Sequence, residues 1–90
     1  MAFLFIEYWV YILQSDSTGR YYVGQTHNLA DRLVRHNSGR TAATRGRGPW
    51  WLIYREEQPT RQQAVACERE IKAHKSREYL ATLVASRPVG

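Results

Sequence analysis

Cysteine is nearly absent from this chain of ninety residues. Cys67 is the single one, so an internal disulfide is impossible and a cysteine-rich zinc site is excluded, a usage that fits a reducing cytoplasm. There is no Walker A loop, no G-x-G-x-x-G, no paired His/Cys metal spacing and no G-x-S-x-G, so no nucleotide cofactor is expected. Long apolar runs are missing too. The apolar start, Met1 to Leu13, is broken by Glu7 and lacks a basic leader. It falls far short of the roughly 20 residues a membrane helix needs, and reads as strand with no membrane role. No internal repeat, long linker or low-complexity segment occurs.

What remains is 43% apolar and 23% charged, the balance of one small globular domain spanning 1–90. A chain of this length buries only about 60 to 65% of its unfolded surface, so each large side chain counts. The aromatics (Trp 3, Tyr 6, Phe 2) are expected to supply much of the core.

Negative charge is scarce in the middle of the chain. Residues 20–55 hold Arg20, Arg32, Arg35, Arg40, Arg45, Arg47 and Arg55 against Asp31 alone. The flanks are slightly acidic before it and nearly balanced after it, so this stretch accounts for the net charge of +5. Guanidinium groups present a planar fork of donors that suits phosphate, which makes nucleic acid the first partner to consider and a merely soluble basic face the alternative.

The punctuation marks short elements. Tyr8 to Gln14 and Tyr21 to Gln25 read as two antiparallel strands joined by the polar turn Ser15 to Gly19. Asn28 is a suitable N-cap for a helix over Leu29 to Asn37, which Ser38-Gly39 ends. A glycine- and arginine-rich loop follows from Gly39 to Pro49, then a third strand from Trp50 to Tyr54. Thr60 with Gln63 matches a capping box opening a helix to about Lys72. A last helix begins near Ser76, with Tyr79, Leu80, Leu83 and Val84 on one face, and Pro88 and Gly90 end it. The order β-β-α-β-α-α predicts an α+β fold with a small three-stranded, mainly antiparallel sheet flanked by helices.

Three groups of residues could carry chemistry. At 100° per residue, Ala64, Cys67 and Ile71 share one face of their helix and Glu68 borders it. A half-buried carboxylate calls for an arginine, a set of hydrogen bonds or a metal ion, unless it reaches solvent or pairs with Lys72 at i+4. Arg32 and His36 flank the Leu29 and Leu33 stripe where helix meets sheet. Arg32 could clamp a phosphate and His36 could bond a phosphate or pass a proton, or both could form a solvated flank. Tyr11 and Tyr22 can bring their hydroxyls to one side of the hairpin, to pack or to orient a water, and Gly24 permits close backbone approach.

Trp9-Val10-Tyr11 and Tyr22-Val23-Gly24 resemble the two signature tripeptides of the GIY-YIG endonucleases, in particular the small single-domain bacterial type. The likeness continues through Gly24-Gln25-Thr26, Asn28-Leu29, Arg32-Leu33, His36-Asn37-Ser38-Gly39, Pro49-Trp50, Ala64, Glu68 to Lys72, and Lys75-Ser76-Arg77 with Tyr79-Leu80. It spans about Tyr8 to Val84. The resemblance implies hydrolysis of DNA phosphodiester bonds with one divalent ion, Mg²⁺ or Mn²⁺, in DNA repair, recombination or processing. It makes Glu68 the metal ligand, Arg32 the phosphate contact and Tyr11 and Tyr22 the signature tyrosines, and puts His36 where members carry histidine or tyrosine. Two departures stand out: Trp9 replaces the first glycine, and no asparagine follows Asn37, whereas many larger members have one after the glutamate.

The expectation is therefore a metal-dependent DNA endonuclease acting on duplex or branched DNA. Arg35, Arg40, Arg45, Arg47 and Lys72 are expected to contact the nucleic acid, the loop arginines on composition alone. The alternative is a catalytically silent nucleic-acid-binding module on the same scaffold, and a blander one is a small interaction protein with a basic face. Ninety residues are expected to leave no room for a separate reader of DNA sequence, so substrate structure, a protein partner or a homodimer would have to add selectivity, or there is little.

Overall fold

The computed structural model describes residues 7–74 and 76–86. Three strands, β1 (Tyr8–Ser15), β2 (Tyr21–Thr26) and β3 (Trp50–Gln58), form one antiparallel sheet in the order β2-β1-β3. Helix α1 (Leu29–Asn37) follows β2, while α2 (Arg61–His74) and α3 (Arg77–Ser86) follow β3. This is the expected β-β-α-β-α-α order and α+β class. The reading of Met1 to Leu13 as strand holds from Tyr8 onward; Met1 to Ile6 lie outside the described residues, as do the helix-ending Pro88 and Gly90.

Local chemistry sets the helix ends. The Asn28 side chain accepts from the backbone N–H of Asp31 at 3.0 Å, capping α1. Gly39 takes φ +76° just past its end while the Arg40 N–H returns to the Arg35 carbonyl at 3.0 Å, a left-handed closure that favours glycine. Thr60 accepts from the Gln63 N–H at 3.1 Å, and Ser76 from the Tyr79 N–H at 3.2 Å.

Strand β3 runs four residues beyond the expected Tyr54. Arg55 to Gln58 look like loop by composition, yet they pair with Tyr11, Val10, Trp9 and Tyr8 of the central strand. Helix α2 likewise continues past Lys72 to His74.

The two faces of the sheet differ. Val10, Ile12, Val23 and Tyr54 pack against Ala64 and Ile71 of α2, with Tyr79, Leu80, Leu83 and Val84 of α3 completing the layer as their spacing predicts. Tyr11, Leu13 and Trp50 form the other face, with Tyr22, Leu29, Leu33 and Leu52. Strict alternation along β3 would place Trp50, Leu52 and Tyr54 on one face. The register shift opposite Ile12 and Leu13 breaks that alternation, so Tyr54 turns to α2 while Trp50 and Leu52 turn to α1. Aromatics supply much of the core, as expected: Tyr11, Trp50 and Tyr54 are buried and Tyr8, Tyr21, Tyr22 and Tyr79 pack against the two layers, while Trp51 is 59% exposed.

Candidate active site

Tyr11 and Tyr22 stand on the α1 face of the hairpin, their ring centroids 6.3 Å apart. Gly24 is opposite Tyr11 in the β1/β2 register, and the phenol ring lies across it. A Cβ on Gly24 would fall 2.5 Å from the Tyr11 hydroxyl and 2.6 Å from Cζ, so only glycine accommodates this tyrosine.

His36 comes up from α1 beneath both rings, its centroid 4.8 Å from Tyr22 and 5.8 Å from Tyr11. It is 2% exposed, at the junction of helix and sheet that its spacing suggested and not on a solvated flank. Nε2 lies 2.9 Å from the Tyr11 hydroxyl and Nδ1 lies 2.8 Å from Thr44 Oγ1. Both nitrogens are thus engaged within the protein, and neither is free for a phosphate in this arrangement. The Thr44 hydroxyl donates to the Thr41 carbonyl at 3.4 Å, which fits a tautomer with the hydrogen on Nδ1 and a lone pair on Nε2 facing the phenol.

Thr44 is buried, and composition gave no sign of it within an arginine- and glycine-rich loop. Its carbonyl accepts from Trp50 Nε1 at 3.0 Å. Asn37 bridges the backbone of Trp50 in both directions, at 2.7 and 3.1 Å, joining the end of α1 to the start of β3. Ser15 and Ser17 both donate to the Arg47 carbonyl and tie the loop to the hairpin turn. Thr44, Asn37 and Trp50 position the histidine. The only local trace of them was the adjacency of Asn37 to His36 and of Pro49 to Trp50.

Burial pushes the Tyr11 phenol well above its ordinary value of 10.0. The neighbouring Tyr22 and Glu68 add to the rise, and the Arg32 guanidinium opposes it. Burial, and then Arg32, push His36 below 6.5. At neutral pH the pair is a neutral phenol hydrogen-bonded to a neutral imidazole.

Glu68 and Lys72 come from α2, which packs on the opposite face, and reach the tyrosines at the β2 edge. Lys72 Nζ is 6.0 Å from the Tyr22 ring centroid and 2.9 Å from Glu68 Oε2. The i+4 pairing that the sequence left open is therefore formed. The Glu68 side chain stays only 22% exposed, on the border of the buried stripe. The structure thus gathers Tyr11, Tyr22, Arg32, His36 and Glu68 around one edge strand.

The other basic residues lie elsewhere. Arg35 is exposed and pairs with Asp31 at 3.0 Å. In the loop, Arg45 donates to the Gly39 carbonyl at 2.7 Å, Arg40 to Ser38 at 3.0 Å and Arg47 to the Ala43 carbonyl at 3.4 Å. Cys67 donates to Glu56 at 3.1 Å, and burial with that carboxylate pushes its thiol up to about 12, so it is an inert packing group. Among the described residues no helix is long and apolar enough to cross a membrane.

An antiparallel three-stranded sheet with two tyrosines beside a helix-borne arginine and histidine, and a glutamate arriving from the next helix, defines a GIY-YIG catalytic domain. Residues 7–80 match the model of that domain, and the chain belongs to the GIY-YIG family, a superfamily of endonucleases. Within it the chain is similar to small bacterial UPF0213 proteins. It is 37% identical over 81 residues to UPF0213 protein BH0048 of Halalkalibacterium halodurans, covering 89% of this chain and 84% of that one. It is 32% identical over 75 residues to UPF0213 protein SERP0126 of Staphylococcus epidermidis, covering 82% and 90%. The solution NMR structure of BH0048 superposes with a TM-score of 0.59 at 35% identity, covering 91% of this chain and 86% of that one. The structure-specific endonuclease subunit SLX1 of Homo sapiens is 44% identical over 50 residues, which is 51% of this chain but 18% of that protein.

Proposed function

We propose that this protein is a divalent-metal-dependent endonuclease that hydrolyses DNA phosphodiester bonds. The observation that carries the reading is the Tyr11 to His36 hydrogen bond of 2.9 Å beside Arg32 and Glu68 at the β2 edge of the sheet.

Among the described residues no three His, Cys, Asp or Glu side chains cluster to hold a metal, so an all-protein cage is excluded there. A single carboxylate nevertheless fits Mg²⁺ or Mn²⁺, because hard ions of this kind keep several waters and take substrate phosphate oxygens alongside one or two carboxylates. Glu68 would hold the ion, exchanging its Lys72 partner for it. When bound, the ion supplies charge stabilisation to the phosphate and to the departing oxygen.

The chain's own residues account for the rest. Arg32 neutralises the phosphate and lowers the cost of its added charge. Tyr11 takes a proton from the attacking water as its own phenolic proton passes to Nε2 of His36. No free phenolate is needed, consistent with the raised Tyr11 pKa. The new phosphorus–oxygen bond forms in line as the opposite one breaks, and the leaving oxygen takes its proton from solvent. Thr44 holds the imidazole throughout, accepting from Nδ1. Tyr22 closes the aromatic wall around the pair, and Lys72, once off Glu68, is free to meet DNA. Arg35, Arg40, Arg45 and Arg47 serve as outer contacts, since part of their donor capacity is already engaged with Asp31 and the loop.

A supercoiled plasmid with flap, fork and bubble substrates in Mg²⁺ or Mn²⁺ tests this. Cleavage that disappears on Glu68→Ala is expected. No cleavage of any substrate, or equal cleavage by the variant, would sink the catalytic role. One observation favours a silent DNA-binding module instead: Lys72 already satisfies the Glu68 carboxylate. In that case binding would be metal-independent and no substrate would be cut.

A further inference from the structure

A second opening adjoins the site at the other end of the β2 edge. Tyr8, Gln25, Thr26, His27, Arg32 and Arg61 line a cleft of roughly 390 Å³, and no acidic side chain is among them. Arg32 is shared with the catalytic group, so the cleft leads directly away from it. Arg61 begins α2, seven residues before Glu68. Seven residues return to within about 20° on a helix, so the two share one face about 10 Å apart, and Lys72 falls on the same stripe. Tyr8 and His27 stand at the far wall with ring centroids 6.5 Å apart.

What sets this pair of arginines apart is that they share one cleft with no acid beside them. Among the described residues neither Arg32 nor Arg61 has a carboxylate partner, whereas Arg35 is paired and Arg40, Arg45 and Arg47 bond to the loop. Two unneutralised guanidiniums opening into one cleft free of acids repel each other unless an anion lies between them.

We propose that this cleft is a second phosphate subsite, formed by Arg61 and His27, which holds the DNA strand on one side of the bond that is cut. It rests on the nuclease reading and adds to it a direction for the strand, from the Glu68 end of α2 past Arg32 to Arg61. About 10 Å is more than the ~7 Å between neighbouring phosphates of one strand and less than three such steps, so the subsite reaches the first or second phosphate from the cut.

The test is metal-free fluorescence anisotropy of a short labelled duplex over a salt series, with inorganic pyrophosphate added separately while the His27 imidazole is followed by NMR. Arg61→Gln and His27→Ala are compared with wild type and with the distant Arg20→Gln. Loss of one phosphate contact is expected to weaken binding on the order of tenfold for Arg61→Gln and to reduce the salt slope by about 0.9, with Arg20→Gln unchanged. That pattern supports the subsite even in a protein that cuts nothing, in which case only the nuclease reading fails. Wild-type affinity and slope in both cleft variants overturn the subsite while leaving any cleavage activity to stand. Pyrophosphate shifting His27 in a protein that does not bind DNA also overturns it, because the ligand is then a free phosphate. A labelled duplex with a neutral methylphosphonate one or two nucleotides from the cut gives a check on wild type alone, which does not depend on the variants folding: its binding should weaken on the order of tenfold, as for Arg61→Gln, and unchanged binding overturns the subsite.

Discussion

Val10 and Ile12 alternate with Tyr11 and Leu13 along one central strand, yet the two sets meet different surroundings. On the α2 and α3 side, Val10, Ile12, Val23, Ala64 and Ile71 make an almost wholly apolar layer. On the α1 side, Tyr11 is buried with a histidine, a threonine and a tryptophan that are hydrogen-bonded to one another or to backbone. Apolar burial is tolerant of shape and supplies most of the stability. A buried polar set is stabilising only when every member is satisfied, and it fixes orientation in return. The β1 alternation therefore separates the residues that hold the sheet from those that place a proton donor and acceptor.

Glu68→Gln should separate the two functions most sharply. The rate of cleavage is expected to fall on the order of 10³-fold, as when one aimed electrostatic group is lost, with metal-free DNA binding retained. Chelating the metal from wild type should match it. Ile12→Ala is the converse. A loss of about 3 kcal/mol is expected from urea unfolding, with kcat per folded molecule unchanged. A variant that lost both in proportion would show that the two faces are not separable.

Gly24→Ala tests the boundary between the faces. The new methyl group displaces the Tyr11 ring, so a loss of about 1 to 3 kcal/mol in stability is expected together with a cleavage rate down about 10²-fold, read in the same preparation. Tyr11→Phe should reproduce the rate loss with less destabilisation, because the ring remains.

Acidification comes next. His36 is depressed below 6.5 in the folded state, so the unfolded chain binds more protons as pH falls. The stability that neutral His36 contributes is present above about 6.5 and is lost as pH drops through that value towards the folded pKa. Wild-type Tm should therefore decline through this window more steeply than that of His36→Gln. Cleavage should lose rate on an acid limb lying below 6.5. The smallest effect belongs to Lys72→Met. Removing a half-exposed ion pair should tighten Mn²⁺ binding by about threefold, measured by calorimetry on the metal-free protein.

Much of this was legible in the chain because its causes are local. Asn28 and Gly39 bracket α1 at Leu29 and Asn37, since a cap and a left-handed stop act within a few residues. Glu68 could be placed on the border of its helix by angle alone. The tail of β3 was not legible: Arg55-Glu56-Glu57-Gln58 carries no strand signature, and the backbone partners that make it one lie on β1. Thr44 was hidden for a related reason, because its importance comes from His36 and Trp50 meeting it in space.

The sequence by itself determined the element order, the α1 boundaries, the apolar stripes and the family signature, since these depend on neighbours three or four residues away or on alternation along a strand. Only the tertiary structure decided that His36 is buried against Tyr11, that Glu68 and Lys72 reach the tyrosines from the helix on the opposite face, and that Arg32 and Arg61 open into one cleft. Those outcomes depend on how α1 and α2 meet around the β2 edge, and no local propensity encodes a contact between residues brought together by a sheet.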